Sequence, residues 1–263
     1  MITTDSNSKL NALITRPEHK AQQLSVALKQ QGIFCVNQPL FDYQALANVN
    51  TCKTLLTKVD IIIFVSVAAV EFATKSYPVN NWQYGQILAV GKATQKALQS
   101  LGINSVITPS QENSEGLLTL PLLANCTKGK IITIVRGNGG RELLASTLMA
   151  KGAKVTYLES YQRVWRTLAK DVSKQWYQQK INCIVVTSNA LLEELYQLTI
   201  SYSASIQSQP LINYWQKQCV WLVVSKRIEQ HAQQLALTNV IVSEGASEES
   251  ICRALNMLNV NEN

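Results

Sequence analysis

Hydrophobic and polar positions along this chain follow two alternating periods. Six short runs rich in β-branched residues predict buried strands, and each run is followed by ten or more residues with apolar positions at helical spacing. The runs cover residues 12–14, 61–65, 87–90, 131–135, 184–186 and 220–224. Such alternation of strand and helix is typical of βαβ units around parallel strands, so the pattern predicts an α/β fold.

The same order of features occurs twice along the chain. A strand ending near Arg16, a leucine-rich helix and Gly32 precede one extended segment, and a strand ending near Arg136, a second such helix and Gly152 precede another. Later pairs keep this order: Ser66 with Ser188, Lys92 with Lys226, and Ser114 with Ser247. The repeat predicts two similar α/β lobes, with both helices ending at their glycines.

The route of the chain between the two lobes has two possible forms. A division near Gly129, between the copies, would make each lobe continuous. Alternatively, the extended segments 36–43 and 155–163 lie at the same phase of both copies and could carry the chain out of one lobe and back again. The residues alone do not choose between these connections.

Composition and charge narrow the class of protein. Of 263 residues, 46% are hydrophobic and 16% are charged, which is enough apolar material for a packed core. The net charge of +7 is spread along the chain, which favours an anionic ligand over a nucleic acid. The first nine residues lack the apolar core of a signal peptide, and the apolar stretch 61–70 is about half a membrane span. We therefore expect a cytoplasmic protein without a membrane partner.

Metal-binding and disulfide frameworks have little support in the sequence. The six cysteines are widely spaced without a Cys-x-x-Cys pair, and His19 and His231 are the two histidines. We expect reduced, mostly buried thiols, histidines exposed to solvent, and no metal or other cofactor.

Residues 135–144 predict a strand, a glycine-rich turn and a helix. Glycines permit a close backbone approach, so the first N–H groups of the helix could face an anion, with Arg136 and Arg141 adding positive charge. A dinucleotide site is a weaker interpretation because Glu142 occupies the position of the third glycine in Gly-x-Gly-x-x-Gly. A purely structural turn is the remaining alternative.

Small hydroxyl and cationic residues follow several predicted strands. Ligands in open α/β sheets bind outside the carboxyl ends of the strands, so this position favours a binding role. The set suits a ligand with many carboxylates, and it comprises Thr15, Arg16, Ser66, Lys92, Thr94, Arg136, Thr187, Ser188, Lys226 and Arg227. The structural alternative is helix N-capping, which would account for Ser66, Ser114, Ser188 and Ser225.

Seven short motifs follow one another along the chain: Ile-Thr-Arg-Pro at 14–17, Ser-Val-Ala-Ala-Val at 66–70, Val-Gly-Lys-Ala-Thr at 90–94, Ser-Glu-Gly-Leu-Leu at 114–118, Arg-Gly-Asn-Gly-Gly-Arg-Glu-Leu-Leu at 136–144, Tyr-Leu-Glu-Ser-Tyr at 157–161 and Thr-Ser at 187–188. Taken in order, these motifs resemble the uroporphyrinogen-III synthase family from about residue 10 to residue 255. The chain departs from the family at Val65, where many members carry threonine.

The resemblance implies a particular connection between the lobes. It implies two parallel-sheet α/β lobes, flavodoxin-like or Rossmann-like, with a ligand cleft between them and a two-stranded antiparallel crossing that joins them. One lobe would comprise residues 1–38 and 166–263, the inserted lobe residues 43–158, and the crossing segments residues 36–43 and 157–165.

The resemblance also implies a reaction, namely cyclisation of linear hydroxymethylbilane to uroporphyrinogen III with inversion of ring D and loss of water. On this basis Tyr161 is the candidate general acid. The candidate ligands of substrate carboxylates are Arg16, Ser66, Lys92, Thr94, Ser114, Arg141, Thr187, Ser188 and Lys226. The expected enzyme is a monomer that needs no cofactor, binds no nucleic acid and contacts transiently the enzyme that makes hydroxymethylbilane. The alternative is a non-catalytic two-lobed binding or sensor protein for a small polyanion.

Overall fold

A computed structural model describes residues 9–125, 127–140 and 142–261 of the chain. These residues form two compact units. The second unit is Tyr43–Val164, and the first combines the described residues up to Asp42 with those from Trp165 onward. Within the described residues, no helix has both the length and the apolar character needed to span a bilayer.

The first unit contains a sheet of five parallel strands in the order β11-β10-β9-β1-β2. The strands are β1 (Asn11–Ile14), β2 (Phe34–Asn37), β9 (Cys183–Val186), β10 (Val220–Val223) and β11 (Val240–Val242). The α-helices of this unit are α1 (Glu18–Gln30), α8 (Val172–Gln178), α9 (Asn189–Tyr196), α10 (Tyr202–Ser205), α11 (Gln209–Asn213), α12 (Lys226–Gln234) and α13 (Glu248–Asn261). Two π-helical stretches, Gln197–Ser201 and Tyr214–Gln218, flank α10 and α11.

The second unit is built on a sheet of six strands in the order β3-β8-β7-β4-β5-β6. The strands are β3 (Phe41–Ala45), β4 (Val59–Phe64), β5 (Tyr84–Ala89), β6 (Val106–Ile107), β7 (Ile131–Gly137) and β8 (Lys154–Trp165). The helices are α2 (Val49–Leu55), α3 (Val67–Ser76), α4 (Lys92–Gln99), α5 (Ser114–Thr119), α6 (Pro121–Asn125) and α7 (Leu143–Ala150), with a 3₁₀ turn at Val79–Asn81. Apolar side chains on the two faces of this sheet form separate buried clusters.

The two sheets share one spatial order, which confirms the predicted repeat. Reading across each sheet, β11-β10-β9-β1-β2 corresponds to β6-β5-β4-β7-β8. The order along the chain differs, because β1 and β2 precede the second unit whereas their counterparts β7 and β8 end it. The first unit therefore has the flavodoxin strand order 2-1-3-4-5, and the second has the Rossmann order 3-2-1-4-5 with β3 added at one edge.

Helices α1 and α7 end at the glycines that the sequence predicted as their ends. Gly32 and Gly152 follow α1 and α7 with positive φ angles of 74° and 86°. Their neighbours close the helices, because the N–H groups of Ile33 and Ala153 bond the carbonyls of Leu28 and Leu148. The left-handed conformation costs less free energy for glycine than for any other residue, which is why both helices end there.

The extended segments of the sequence have a more detailed structure than predicted. Segment 36–43 is divided between the end of β2 and the start of β3. Strand β8 pairs with β7 in parallel register, and its later residues pair with β3. Backbone bonds from Leu46 to Ser160 (3.1 Å) and from Arg166 to Leu40 (2.9 Å) show that β3 and β8 run antiparallel. The chain passes between the units within these two strands.

Candidate functional site

The predicted binding residues lie where strands give way to helices at the carboxyl ends of the two sheets. In the first unit Arg16 follows β1, Thr187 and Ser188 follow β9, and Lys226 begins α12 after β10. In the second unit the equivalent residues are Ser66 after β4, Lys92 and Thr94 in α4, and Ser114 in α5. Arg141 lies outside the described residues. The carboxyl edge is where open α/β sheets bind their ligands.

Three of the four serines predicted at helix starts are N-caps. The hydroxyls of Ser66, Ser188 and Ser225 accept hydrogen bonds from the backbone N–H three residues on, at 3.0, 3.3 and 3.4 Å. Capping uses one acceptor site of each hydroxyl and leaves its proton available to donate. The N-cap interpretation is wrong for Ser114, because Asn113 caps α5 by accepting from the Gly116 N–H at 2.7 Å.

The three cations and Thr94 differ in their exposure and in the partners that they already have. Lys92 is exposed at the first residue of α4. The Lys226 side chain is 79% exposed and pairs with Glu229 at 3.0 Å. Arg16 donates to the Ala246 carbonyl at 2.8 Å. Thr94 is only 4% exposed, so its hydroxyl presents little surface to a ligand.

The glycine-rich turn after β7 binds a carboxylate of its own chain. The Gly139 N–H donates to Glu159 Oε1 at 3.1 Å, and Arg136 Nη2 lies 3.5 Å from the same oxygen. The Arg136 guanidinium also donates to Glu142 at 3.2 Å, and its side chain is only 9% exposed. Arg136 therefore pairs with carboxylates of its own chain, and its expected contribution to a site for an external anion stays a prediction. These contacts favour the structural interpretation of the turn over a nucleotide site.

The same ion cluster fixes the start of α7. Arg136 lies 3.9 Å from the centroid of the Tyr157 ring, and the Tyr157 hydroxyl donates to Glu142 at 2.7 Å. Burial, followed by this hydrogen bond, raises the pKa of Tyr157 to about 12. The same bond, together with Arg136, lowers the pKa of Glu142. The cluster is thus a cation shared among two carboxylates and an aromatic face.

Tyr161, the candidate acid, lies on β8 within an aromatic cluster of the second unit. It is 8% exposed, and its hydroxyl lies 3.2 Å from Ser66 Oγ, so either hydroxyl can donate to the other. The Tyr43 ring packs edge-on at 4.8 Å between centroids, and the Phe72 ring lies at 5.7 Å. Burial and the nearby Tyr161 raise the pKa of Tyr43. Two predicted site residues, Ser66 and Tyr161, are therefore in contact.

A β-bulge on β8 was not predicted. Arg136 pairs with Glu159, but Gly137 pairs with Tyr161, so Ser160 is an extra residue on β8. Ser160 is fully buried, and its hydroxyl lies 3.3 Å from the Ala69 carbonyl and 3.4 Å from the Arg136 carbonyl. The one sign in the sequence is a break in the alternation, because apolar side chains at Leu158 and Tyr161 are three residues apart.

His231 and the described cysteines take no part in this geometry. His231 is 29% exposed and pairs with Glu193, while the His19 side chain lies outside the described residues. The described cysteines are reduced thiols, and four of the five are buried. Within the described ranges, no group of three or more His, Cys, Asp or Glu side chains could hold a metal ion.

The fold and these edges define a class: a two-unit doubly wound α/β protein with hydroxyls and cations at the carboxyl ends of both sheets. Comparison with known proteins makes the assignment specific. The family model described as "Uroporphyrinogen-III synthase HemD" matches residues 22–253. The chain belongs to the uroporphyrinogen-III synthase family.

Curated relatives and solved structures agree with this assignment. The chain is 32% identical to uroporphyrinogen-III synthase of Salmonella typhimurium and 30% identical to that of Escherichia coli, each over 94% of this chain and all of the relative. A mutant uroporphyrinogen III synthase from Thermus thermophilus has a similar fold, with a TM-score of 0.63, 13% identity and coverage of 97% of this chain and 100% of the other. The Helicobacter pylori enzyme matches at a TM-score of 0.54 and 13% identity, over 95% of this chain and 99% of the other.

Proposed function

We propose that this protein is a cyclising lyase that converts linear hydroxymethylbilane to uroporphyrinogen III, with inversion of ring D and loss of water, in tetrapyrrole (haem) biosynthesis. The observation that carries this proposal is the family match over residues 22–253, together with full-length relatives of that name. The same match favours an enzyme over a non-catalytic polyanion-binding protein.

We propose that Tyr161 is the general acid that starts the reaction. Its hydroxyl proton would pass to the terminal hydroxyl of the bilane as the C–O bond breaks, so that water leaves. Transfer of the adjacent pyrrole N–H proton to the phenolate would then give the azafulvene and restore Tyr161. The Ser66 hydroxyl, 3.2 Å away, is able to donate to the Tyr161 oxygen and so leave the phenolic proton directed at the substrate. The α3 N-terminus holds Ser66 in place through the bond from the Ala69 N–H at 3.0 Å.

The later steps need positioning more than further proton transfer. The substituted carbon of ring D would attack the azafulvene to give a spiro intermediate, and fragmentation with re-closure would invert the ring. Because the bilane closes to the uninverted isomer I without an enzyme, the main task of the protein is to hold one geometry. Fixed hydrogen-bond donors and cations around the carboxylates can do this and stabilise charge as it develops.

We assign the carboxylates of the substrate to the polar carboxyl edges of the two sheets. Lys92 and Lys226 are exposed there, and the capping serine Ser188 keeps a proton to donate. Ser66 is a proposed ligand as well, and its proton is available to a carboxylate when it accepts from the Tyr161 hydroxyl instead of donating to it. The other proposed ligands are Arg16, Thr94, Ser114, Arg141 and Thr187. No cofactor is required in this scheme. The expected lobe limits, residues 1–38 with 166–263 and residues 43–158, stay a prediction.

The setting of the enzyme is also a proposal. We infer a cytoplasmic monomer without a nucleic-acid or membrane partner that contacts transiently the enzyme supplying hydroxymethylbilane. Light scattering coupled to size-exclusion chromatography tests the monomer, because a dimer would double the measured mass.

A coupled assay tests the proposed reaction. Hydroxymethylbilane is made in situ, the products are oxidised, and the porphyrin isomers are separated by chromatography. We expect isomer III to predominate when the protein is present and isomer I when it is omitted. Isomer I alone from a folded sample would contradict the proposal and favour the polyanion-binding alternative.

Single changes at the exposed lysines should have small effects. We expect Lys92→Ala and Lys226→Ala each to raise the KM for hydroxymethylbilane by about two- to tenfold with little change in kcat, because many weak contacts share the carboxylates. Lys53→Ala, in α2 rather than at a carboxyl edge, is the matched control and should leave KM unchanged. Equal effects of all three changes on KM would argue against specific contacts.

A further inference from the structure

Gly137, the last residue of β7, lies directly against the ring of Tyr161. A Cβ atom at position 137 would lie 2.7 Å from Tyr161 Cζ, 2.8 Å from Cε2 and 3.1 Å from the hydroxyl oxygen. Contacts under about 3 Å between carbon atoms are strongly repulsive, so the ring occupies the space that a side chain would need. The absence of a side chain at 137 is therefore what allows the ring to lie there.

The need for glycine at this position is steric and does not come from the backbone. Gly137 is absent from the described residues that have positive φ, in contrast to Gly139 and Gly140 in the turn that follows, at 68° and 117°. An alanine would therefore find an allowed backbone conformation at 137. The obstacle to alanine is steric, because its Cβ atom would clash with the Tyr161 ring.

The β-bulge determines which face of the sheet this ring occupies. In a regular strand, residues an odd number apart point to opposite faces, so Leu158 and Tyr161 would be separated. The extra residue Ser160 reverses the alternation, and both side chains lie in the same buried cluster, with Val135 of β7. The ring is thereby carried to the side of the sheet where α3 presents Ser66.

The surrounding rings leave Tyr161 little room to move aside. Tyr43 packs on it at 4.8 Å and Phe72 at 5.7 Å, both measured between centroids. A ring displaced from Gly137 would have to disturb one of these contacts or leave the hydroxyl of Ser66.

We propose that Gly137, together with the bulge at Ser160, is a positioning residue for Tyr161: it supplies the gap in which the phenol ring lies with its hydroxyl against Ser66. This inference rests on the proposed function for the acid role of Tyr161. The placement of the ring itself stands on the contacts within the second unit.

A thermal-unfolding cycle tests the placement of the ring. Gly137→Ala should lower Tm by roughly 3–10 °C in the wild-type background, since overpacking a core destabilises the folded state. In the Tyr161→Ala background, where the obstructing ring is absent, the same change should shift Tm by less than about 1 °C. Equal shifts in both backgrounds would overturn the proposal.

A matched control uses the other tyrosine of β8. Tyr157 packs against the buried cluster on the other face of the sheet. Gly137→Ala should therefore lower Tm by the same amount in the Tyr157→Ala background as in the wild type. If Gly137→Ala alone yields no folded protein, recovery of folding in Gly137→Ala/Tyr161→Ala supports the proposal. Failure of that double variant to fold, when Tyr161→Ala folds, contradicts it.

Steady-state kinetics test the consequence for the reaction. We expect Gly137→Ala to lower kcat for isomer III by about tenfold or more with KM within about twofold, and to cause no further loss in the Tyr161→Phe background. Losses that multiply would mean that Gly137 acts other than through the Tyr161 hydroxyl, and would overturn the inference.

The two possible failures can be told apart. A wild-type rate in Tyr161→Phe would overturn the acid role of Tyr161, and with it the catalytic part of the inference. The unfolding cycle would still test whether the Tyr161 ring packs against Gly137. Absence of isomer III from the wild-type protein would overturn the proposed function as a whole.

Discussion

Replacing Tyr161 with phenylalanine should lower the rate of isomer III formation by about 10²–10⁴-fold, the range typical for loss of a general acid. The ring remains in place between Tyr43 and Gly137, so only the hydroxyl and its contact with Ser66 at 3.2 Å are removed. Because spontaneous closure continues, the product mixture should shift toward isomer I. Initial rates with separated isomers measure both effects.

The control for this change is Tyr43→Phe, which removes the hydroxyl of the adjacent ring at 4.8 Å between centroids. It should retain a rate within about threefold of wild type, because Tyr43 has no role in the proposed proton transfer. A Tyr161→Phe variant that forms isomer III at the wild-type rate would exclude the phenol as the acid.

Replacing Phe64 with alanine should lower the free energy of unfolding by about 3–5 kcal/mol. Phe64 is the last residue of β4, is fully buried, and stacks on Trp82 with 5.5 Å between ring centroids. Alanine would leave a cavity between β4 and this ring in one of the two cores of the second unit. This is a large share of the 5–15 kcal/mol that stabilises a typical domain.

Urea unfolding followed by tryptophan fluorescence measures this loss, and Phe64→Leu is the control. Leucine fills most of the volume, so it should cost roughly 1–2 kcal/mol. A loss below about 1 kcal/mol in the alanine variant would mean that the core relaxes around the site. Since Ser66 lies two residues beyond Phe64, the variant should also reduce isomer III formation at temperatures where it is still folded.

The fold could be predicted from the sequence because its main signals are local. The buried strands β4, β7, β9 and β10 are rich in β-branched residues. Gly32 and Gly152 have the positive φ angles that favour glycine at the end of a helix. The repeat then related the two sheets, since matching residues such as Ser66 and Ser188 cap equivalent helices after equivalent strands.

The finer geometry of the site depends on contacts between distant residues, which no local pattern encodes. Glu159 accepts from the Gly139 N–H across 20 residues of sequence, so the glycine-rich turn binds a carboxylate of its own chain. The cap of α5 is an exception, because it is a local contact: Asn113 accepts from the Gly116 N–H, and it precedes by one residue the serine that the pattern indicated. The bulge at Ser160 is held by bonds to the carbonyls of Ala69 and Arg136.

The permuted strand order of the two units has a consequence for synthesis. The second unit is one continuous piece, Tyr43–Val164, and its whole sequence has been synthesised before β9 is made. The first unit must wait, because β1 pairs with β9 through contacts such as Ala12 with Cys183. Its N-terminal strands therefore remain unpartnered on that side while the inserted unit folds, so the two units complete their folding in the reverse of the order in which they begin.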